Sequence, residues 1–229
     1  MGDFFIPPLC VICDSPLSSD SWFCTECLLK LRNNCLSRKA CPRCSQNLEH
    51  RSCTCDIVWD FPFQKVFSLY DFDDLIRAIA HNIKYKGRRR FAFHVGYVSA
   101  SLIPSDFLEG LDLVIPVPLH KSRLRQRGYN QAEWFARGVL KGIGKLELRT
   151  DLLLRVRKTG TQTKLDKEMR RKNLASAFKV GDLNSFELRG KSILLVDDIL
   201  TTGATVEACT NELLRNGCRS VRVLSLGRD

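Results

Sequence analysis

Long apolar runs are missing from this sequence. No stretch of its 229 residues approaches ~18 consecutive apolar side chains, so no membrane span is expected. The first residues lack a basic segment ahead of an apolar one, so no secretory signal is expected. Ile6 stands where an N-myristoylation pattern needs Ser or Thr. The expected compartment is therefore the cytoplasm. A G-x-G-x-x-G fingerprint is also absent, which argues against a dinucleotide-binding Rossmann unit. Acidic charge is scarce: 25 Asp and Glu face 36 Lys and Arg, a formal net charge of +11. Such an excess favours anionic partners such as phosphates or nucleic acid. Eight thiolates on two Zn²⁺ would lower the balance to about +7, still basic. Hydrophobic residues at 44% and charged residues at 27% are ordinary for a folded chain and exclude wholesale disorder.

Cysteine, by contrast, is abundant and unevenly placed. Nine of the eleven lie before residue 56, at 10, 13, 24, 27, 35, 41, 44, 53 and 55, and only Cys209 and Cys218 lie beyond. In a chain expected in the cytoplasm this argues for metal over disulfides. A Cys-x-x-Cys turn aims two thiolates at one point, and two such turns close a tetrahedral zinc site. Pairing by order gives Cys10, Cys13, Cys24 and Cys27 in one site, and Cys41, Cys44, Cys53 and Cys55 in the other. Pro42 stiffens the third turn. Cys53-x-Cys55 is one residue shorter than the usual knuckle, and Cys35 is either a further thiol or a substitute ligand. A redox cluster and an iron–sulfur centre use the same residue type. Four cysteines per site leave no open coordination position, so two structural zincs are expected. The division at residue 60 gives a cysteine-rich unit, 1–60, and a second unit, 61–229.

The second unit alternates helical and strand patterns. Asp74 precedes Leu75, Ile76, Ile79, Ala80 and Ile83 at helical spacing, with Gly87 beyond. Phe91, Val95, Val98 and Leu102 suggest another helix. Residues 112–118 read as a buried strand ended by Pro116 and Pro118. Asn130, with Glu133 three residues on, reads as a capping box before Ala132, Phe135, Ala136 and Val139. Residues 192–196 form the clearest strand pattern. Val206, Cys209, Leu213 and Leu214 mark the following helix, and residues 220–225 a last strand. Cys209 and Cys218 read as packing residues. Such alternation predicts an α/β architecture: a parallel sheet flanked by helices.

The densest chemistry follows the strand at 192–196. Asp197 and Asp198 come next, then Thr201, Thr202, Gly203, Ala204 and Thr205, then a helix. A helix N-terminus behind a hydroxyl-rich turn suits a phosphate, and Gly203 lets backbone approach it closely. Carboxylates repel phosphate, so the aspartates need ribose hydroxyls or a metal as partners. A sugar 5-phosphate satisfies both halves. The turn has no Gly-Lys pair of the Walker type.

This segment resembles the 5-phosphoribosyl 1-pyrophosphate (PRPP) signature of type I phosphoribosyltransferases. The wider pattern resembles the ComF/GntX family. It includes the four cysteine pairs, Tyr70, Ile83-Lys84-Tyr85, Pro116-Val117-Pro118-Leu119 and the stretch from Arg125 to Gln131. It continues through Arg155, Thr161-Gln162, Arg170 to Asn173, Ala177-Phe178 and the signature itself. The resemblance implies a double zinc ribbon joined to a type I phosphoribosyltransferase fold. It implies PRPP with Mg²⁺ as ligand, Asp197 and Asp198 as catalytic residues, and a role in natural competence and DNA uptake or in nucleoside metabolism. Single-stranded DNA and a helicase-type competence protein are the further partners it implies. The stretch 118–128 is read as a loop whose Lys121, Arg123, Arg125 and Arg127 hold pyrophosphate. Residues 155–172, with eight basic residues, look like the loop that closes over PRPP. A non-catalytic DNA-binding factor and a PRPP sensor are the competing readings. For DNA, Arg88, Arg89 and Arg90 would supply charge, and Tyr85, Phe91 or Trp22 would stack on bases.

Overall fold

The computed structural model describes residues 8–18, 21–36, 40–49, 52–53, 55, 61–85, 87–144, 146–158, 174, 176–181 and 185–229. In chain order the elements are α1 (Thr25–Asn33), β1 (Lys65–Asp71), α2 (Asp74–Tyr85), α3 (Arg89–Ser99), α4 (Ser105–Leu108) and β2 (Leu113–Pro116). There follow α5 (Lys121–Arg127), α6 (Gln131–Ile143), β3 (Glu147–Leu148), β4 (Leu153–Arg155), β5 (Phe178–Val180) and α7 (Ser185–Leu188). The last are β6 (Ser192–Leu200), α8 (Ala204–Arg215) and β7 (Ser220–Arg228). Five strands form a parallel sheet in the order β1-β7-β6-β2-β3, and β4 and β5 pair antiparallel beside it. The α/β expectation holds.

Burial on both faces explains the parallel sheet. Ile193 and Leu195 of β6 point into one core, with Val221 and Val223 of β7 and Val206 and Leu213 of α8. Leu194 and Val196 point into the other, with Ile76, Ile79 and Ile83 of α2 and Phe135 and Val139 of α6. A strand apolar on both faces cannot sit against water on either, so helices must cover both. Cys209 and Cys218 are buried packing residues, as expected.

Helices α3 and α6 cross in contact because two glycines allow it. A Cβ on Gly96 would lie 2.2 Å from the Phe135 carbonyl oxygen, and one on Gly138 would lie 1.9 Å from that of Phe93. Both approaches are far inside contact distance, so this pair of helices tolerates no side chain at either position.

Several local expectations are corrected. The sequence pattern did not reveal β1, which occupies the sheet edge beside β7. Helix α2 is capped by Asp73, whose Oδ1 accepts from the Ile76 N–H at 2.8 Å, and Asp74 is its first residue. Asn130 does cap α6, accepting from the Ala132 N–H, but Glu133 pairs with Arg137 one turn on and does not reach back to the cap. Helix α3 ends at Ser99, and Leu102 falls in a 3₁₀ turn, Ala100–Leu102. The stretch 118–128 is a loop only at its start: residues 121–127 form α5, ended by Gly128 at φ 80°.

The cysteine-rich segment lies along β1. The Leu36 N–H donates to Leu69 O at 3.0 Å, and the Asp71 N–H donates to Asn34 O at 3.3 Å. The Val66 N–H donates to Arg43 O at 3.1 Å, and the Ser68 N–H donates to Ser45 Oγ at 2.8 Å. Asn47 Nδ2 donates to Asp71 Oδ2 at 2.8 Å. Among the described residues no helix is long and apolar enough to cross a membrane.

Candidate functional site

The two cysteine groups are built alike. In each, a Cys-x-x-Cys turn is closed by an N–H···O bond from the residue after the second cysteine back to the first: Asp14 to Cys10 at 3.0 Å, and Ser45 to Cys41 at 2.9 Å. Asp14 and Ser45 both have positive φ, at 57° and 60°, a conformation that aims two sulfurs to one side. A short antiparallel bridge flanks each turn, Leu9 with Pro16 and Ala40 with Asn47. The knuckle is thus a repeat that the cysteine spacing made visible.

Four sulfurs converge in each group. Cys10, Cys13, Cys24 and Cys27 lie within 4.8 Å of one another, and so do Cys41, Cys44, Cys53 and Cys55. Sγ–Sγ separations are 3.7 Å for Cys13 and Cys24, 3.7 Å for Cys41 and Cys55, and 3.3 Å for Cys44 and Cys53. A tetrahedron of thiolates about 2.3 Å from a Zn²⁺ has edges of about 3.8 Å, whereas a disulfide needs about 2.05 Å. The donor sets fit two zinc ions, and the short Cys53-x-Cys55 pair contributes both its sulfurs. Cys35 belongs to neither group; its backbone bridges to Tyr70. Burial pushes the thiols of Cys44 and Cys218 up to about 11, while hydrogen bonding with Ser15 holds the exposed Cys13 down at about 6.

The second site is at the carboxyl end of the sheet. After β2 the chain moves outward to β3, and after β6 it moves the other way to β7, so the loops behind these strands diverge. Such a switch point is where open α/β sheets hold ligands. β2 and β6 are adjacent here, with Pro116 opposite Val196 and the Val117 N–H donating to Val196 O at 2.8 Å. Strand β6 runs on through Leu200, so Asp197 and Asp198 are part of it and do not follow it.

Successive strand residues face opposite sides, and the two aspartates therefore differ. Asp198 turns toward α2 and α6: its Oδ2 lies 2.8 Å from Lys84 Nζ and accepts from Gln131 Nε2 at 3.5 Å. Burial raises its carboxyl, but the Lys84 charge and the hydrogen bonds of Lys84, the Ile199 backbone and Asp197 together outweigh this and hold it below the usual carboxylate range. Asp197 is buried on the other side, with Arg155 and Cys209 in its electrostatic neighbourhood. Burial first, and the Asp198 charge second, push its carboxyl well up. Its Oδ1 accepts from the Asp198 N–H at 2.8 Å.

Behind them, Thr201 is exposed and Thr202 and Thr205 are half-buried. Gly203 precedes α8 at φ 78°, a left-handed conformation that side chains disfavour. Ala204 is buried, and its N–H donates to Thr202 Oγ1 at 3.4 Å.

Helix α5 sorts the predicted cations. Arg123 and Arg127, four residues apart on one face, are half-buried; Lys121 and Arg125 are exposed. Arg127 Nη1 donates to Gln131 Oε1 at 2.8 Å, and its guanidinium lies 5.5 Å over the Tyr85 ring. Arg123 is close enough to Arg155 for their charges to oppose. The chain Tyr85–Arg127–Gln131–Asp198–Lys84 closes on itself around one side of the acids. Lys84 and Gln131 were not singled out as site residues; both belong to the quoted motifs, but only the fold shows that both reach Asp198.

Other expectations change. Phe91 is fully buried, packed 5.6 Å from Trp22 and 5.5 Å from Phe23, so it cannot stack on a base. Trp22 is half-buried in the same contact. Arg89 lies over the Trp134 ring and Arg88 bonds Asn82, leaving Tyr85, 65% exposed, as the accessible ring. Of the supposed closing loop, 159–172 lies outside the described residues.

Comparison with known proteins follows this geometry. The family description "Phosphoribosyl transferase domain" matches residues 131–227, from α6 through the acids and the threonine turn to β7. The DNA utilization protein YhgH of Salmonella typhi is 30% identical over 234 residues, spanning 97% of this chain and 98% of that protein. This chain belongs to the ComF/GntX family. Competence protein F of Haemophilus influenzae is 33% identical over 117 residues, 51% of this chain and 50% of that protein. Competence protein ComFC of Bacillus subtilis is 24% identical over 228 residues, covering 91% and 90%. The family members' names concern competence and DNA utilization, and the two four-cysteine groups accompany the phosphoribosyltransferase domain.

Proposed function

We propose that this ComF/GntX chain binds PRPP with Mg²⁺ at the carboxyl ends of β2 and β6, and serves the uptake and use of DNA. One observation carries the reading: a buried acid pair runs into a threonine turn and helix N-terminus, and Arg127 of α5 reaches that pair through Gln131. The names of the relatives support the DNA side of the proposal. The ribbon unit, 1–60, and the transferase-like unit, 61–229, would act as one body.

In this reading the Thr201–Thr205 turn receives the 5-phosphate through backbone N–H groups and hydroxyls. Asp198 accepts from ribose hydroxyls once Lys84 yields, and Arg123 and Arg127 face the pyrophosphate. Bound Mg²⁺ would supply charge neutralisation to the departing pyrophosphate. Asp197, whose carboxyl burial pushes up, orders Asp198 by accepting from its backbone N–H. Turnover would need an acceptor at C1 of the ribose, and a nucleobase is the class expected of the fold.

The test is calorimetry with PRPP and Mg²⁺, followed by pyrophosphate release with a panel of bases. Binding with release supports the transferase, and binding without release supports a sensor. No binding overturns the proposal.

A second reading, single-stranded DNA binding, is favoured by exposed Tyr85 with Arg127 over its ring at the rim of this site. Fluorescence anisotropy of an oligonucleotide, with and without PRPP, tests it. Affinity should fall steeply with salt as phosphate contacts release counterions. Competition by PRPP would mean that both ligands use α5. No binding at low salt removes the reading.

A further inference from the structure

Arg228, the last residue of β7, is 8% exposed. Its Nη1 donates to Leu200 O at 3.2 Å and to Thr201 O, the backbone where β6 gives way to the threonine turn. Leu200 is also its cross-strand partner, and the Arg228 carbonyl accepts from the Phe72 N–H at 3.0 Å, so the arginine backbone is fixed from both sides. Among the described residues its buried Nε has no hydrogen-bond partner.

The second cysteine group lies close enough to this guanidinium for their charges to interact. Cys41, Cys44 and Cys55 share one apolar core with Leu200, Ala204 and Val206, the residues at the foot and back of the turn. Asn47, next to that knuckle, bonds the carboxylate of Asp71, the residue paired with Arg228 across β1 and β7. The thiols of Cys44, Cys53 and Cys55 all interact electrostatically with the Arg228 charge. The first group differs: the nearby cation felt by Cys13 and Cys27 is Lys30, which is exposed and paired with Glu26.

Four thiolates around one Zn²⁺ carry a net charge of −2. Buried, such a dianion requires a cation, and a buried arginine requires an anion for the same reason. We propose that Arg228 is a positioning residue that couples the second cysteine quartet to the threonine turn. It balances the charge of the metal-loaded quartet with one side of its guanidinium and holds the Leu200 and Thr201 carbonyls with the other. Metal in the quartet thus fixes the cation, and the cation fixes the turn. The proposal rests on reading Thr201–Thr205 as the phosphate-binding turn, but its test needs no PRPP.

The experiment is hydrogen exchange, read by mass spectrometry, on zinc-loaded full-length protein while a chromophoric chelator withdraws metal. Exchange in the peptide covering 197–206 should rise in step with the peptide covering 41–55 and not with that covering 10–27. Rise in step with 10–27, or no rise, overturns the coupling. Two variants follow. R228M, without the charge, should release one of two zincs roughly tenfold faster, as expected for loss of an outer partner. R228K keeps the charge and loses the fork, so it should retain zinc better than R228M yet leave 201–206 unprotected. Zinc release and exchange unchanged in R228K would overturn the proposal even if R228M does not fold. Failure of PRPP to bind the parent protein would sink the proposed function and leave these readouts intact.

Discussion

Lys84 at the end of α2 and Asp198 in β6 form an ion pair at 2.8 Å across the core boundary, 25% and 10% exposed. The pair ties the helix that follows β1 to the strand carrying the site. Removing the cation leaves a buried carboxylate alone, which costs about 3 kcal/mol. Lys84→Met should therefore lower stability by about that amount at neutral pH. The parent's contribution from Asp198, whose carboxyl is held down, is present above the ordinary Asp range and lost as pH falls through the lowered value. Urea melts between pH 3 and 7 should show the variant's deficit shrinking toward acid. A constant deficit would mean that the pair is not the cause.

Asp197 has the opposite sign. Burial raises its carboxyl, so the folded state holds this proton to higher pH than the unfolded chain does, and stability falls as pH rises from the ordinary Asp range through the raised value. Asp197→Asn mimics the protonated acid. The variant should melt at the same temperature as the parent or higher, with the gap widening as pH rises from the ordinary Asp range. Thermal melts across pH 5–9 check this, and a variant less stable at every pH contradicts it. Calorimetry should show that Asp198→Asn weakens PRPP binding more, because that carboxylate is the ionised one.

Metal analysis should give about two Zn per chain, and iron with a visible chromophore would overturn the assignment. Cys13→Ser, at an exposed ligand, and Cys44→Ser, at a buried one, should each retain about one zinc. Cys44→Ser should melt lower, since its sulfur lies in the core shared with β6 and α8.

The faces of α5 predict unequal cations. Arg123→Ala and Arg127→Ala should each weaken PRPP affinity by about tenfold, within the range for a charged hydrogen bond. Lys121→Ala and Arg125→Ala, on the exposed face, should change it less than threefold. Titrations of the four variants check the order, and an inverted order would place the pyrophosphate elsewhere.

Much of this was legible from residue type and spacing. Both cysteine groups could be read because a closed four-sulfur site needs all its ligands in short paired turns. The strand, acids and threonine turn could be read because apolar continuity and local turn chemistry coincide there. Lys84, Gln131 and Arg228 could not. Each is an ordinary polar residue at an element end, and its role comes from contacts 67 or more positions away for Gln131, and more than a hundred for Lys84. Strand β1 escaped because its Lys65, Ser68 and Asp71 break the apolar run. Its burial comes from neighbours on both sides, not from its own composition. Phe91 was misread for the same reason: a ring beside three arginines looks exposed until Trp22 and Phe23 are laid over it.

The lie of the cysteine-rich segment along β1 has a consequence beyond folding energy. β1 has β7 on one side only, and its outward backbone groups are met by Leu36, Asn34, Arg43 and Ser45. An uncovered strand of this kind is a template for any other extended chain. Protein stripped of metal should therefore do more than soften. It should self-associate through strand β1, turning over time into oligomers rich in intermolecular sheet, and zinc added before that point should keep it monodisperse.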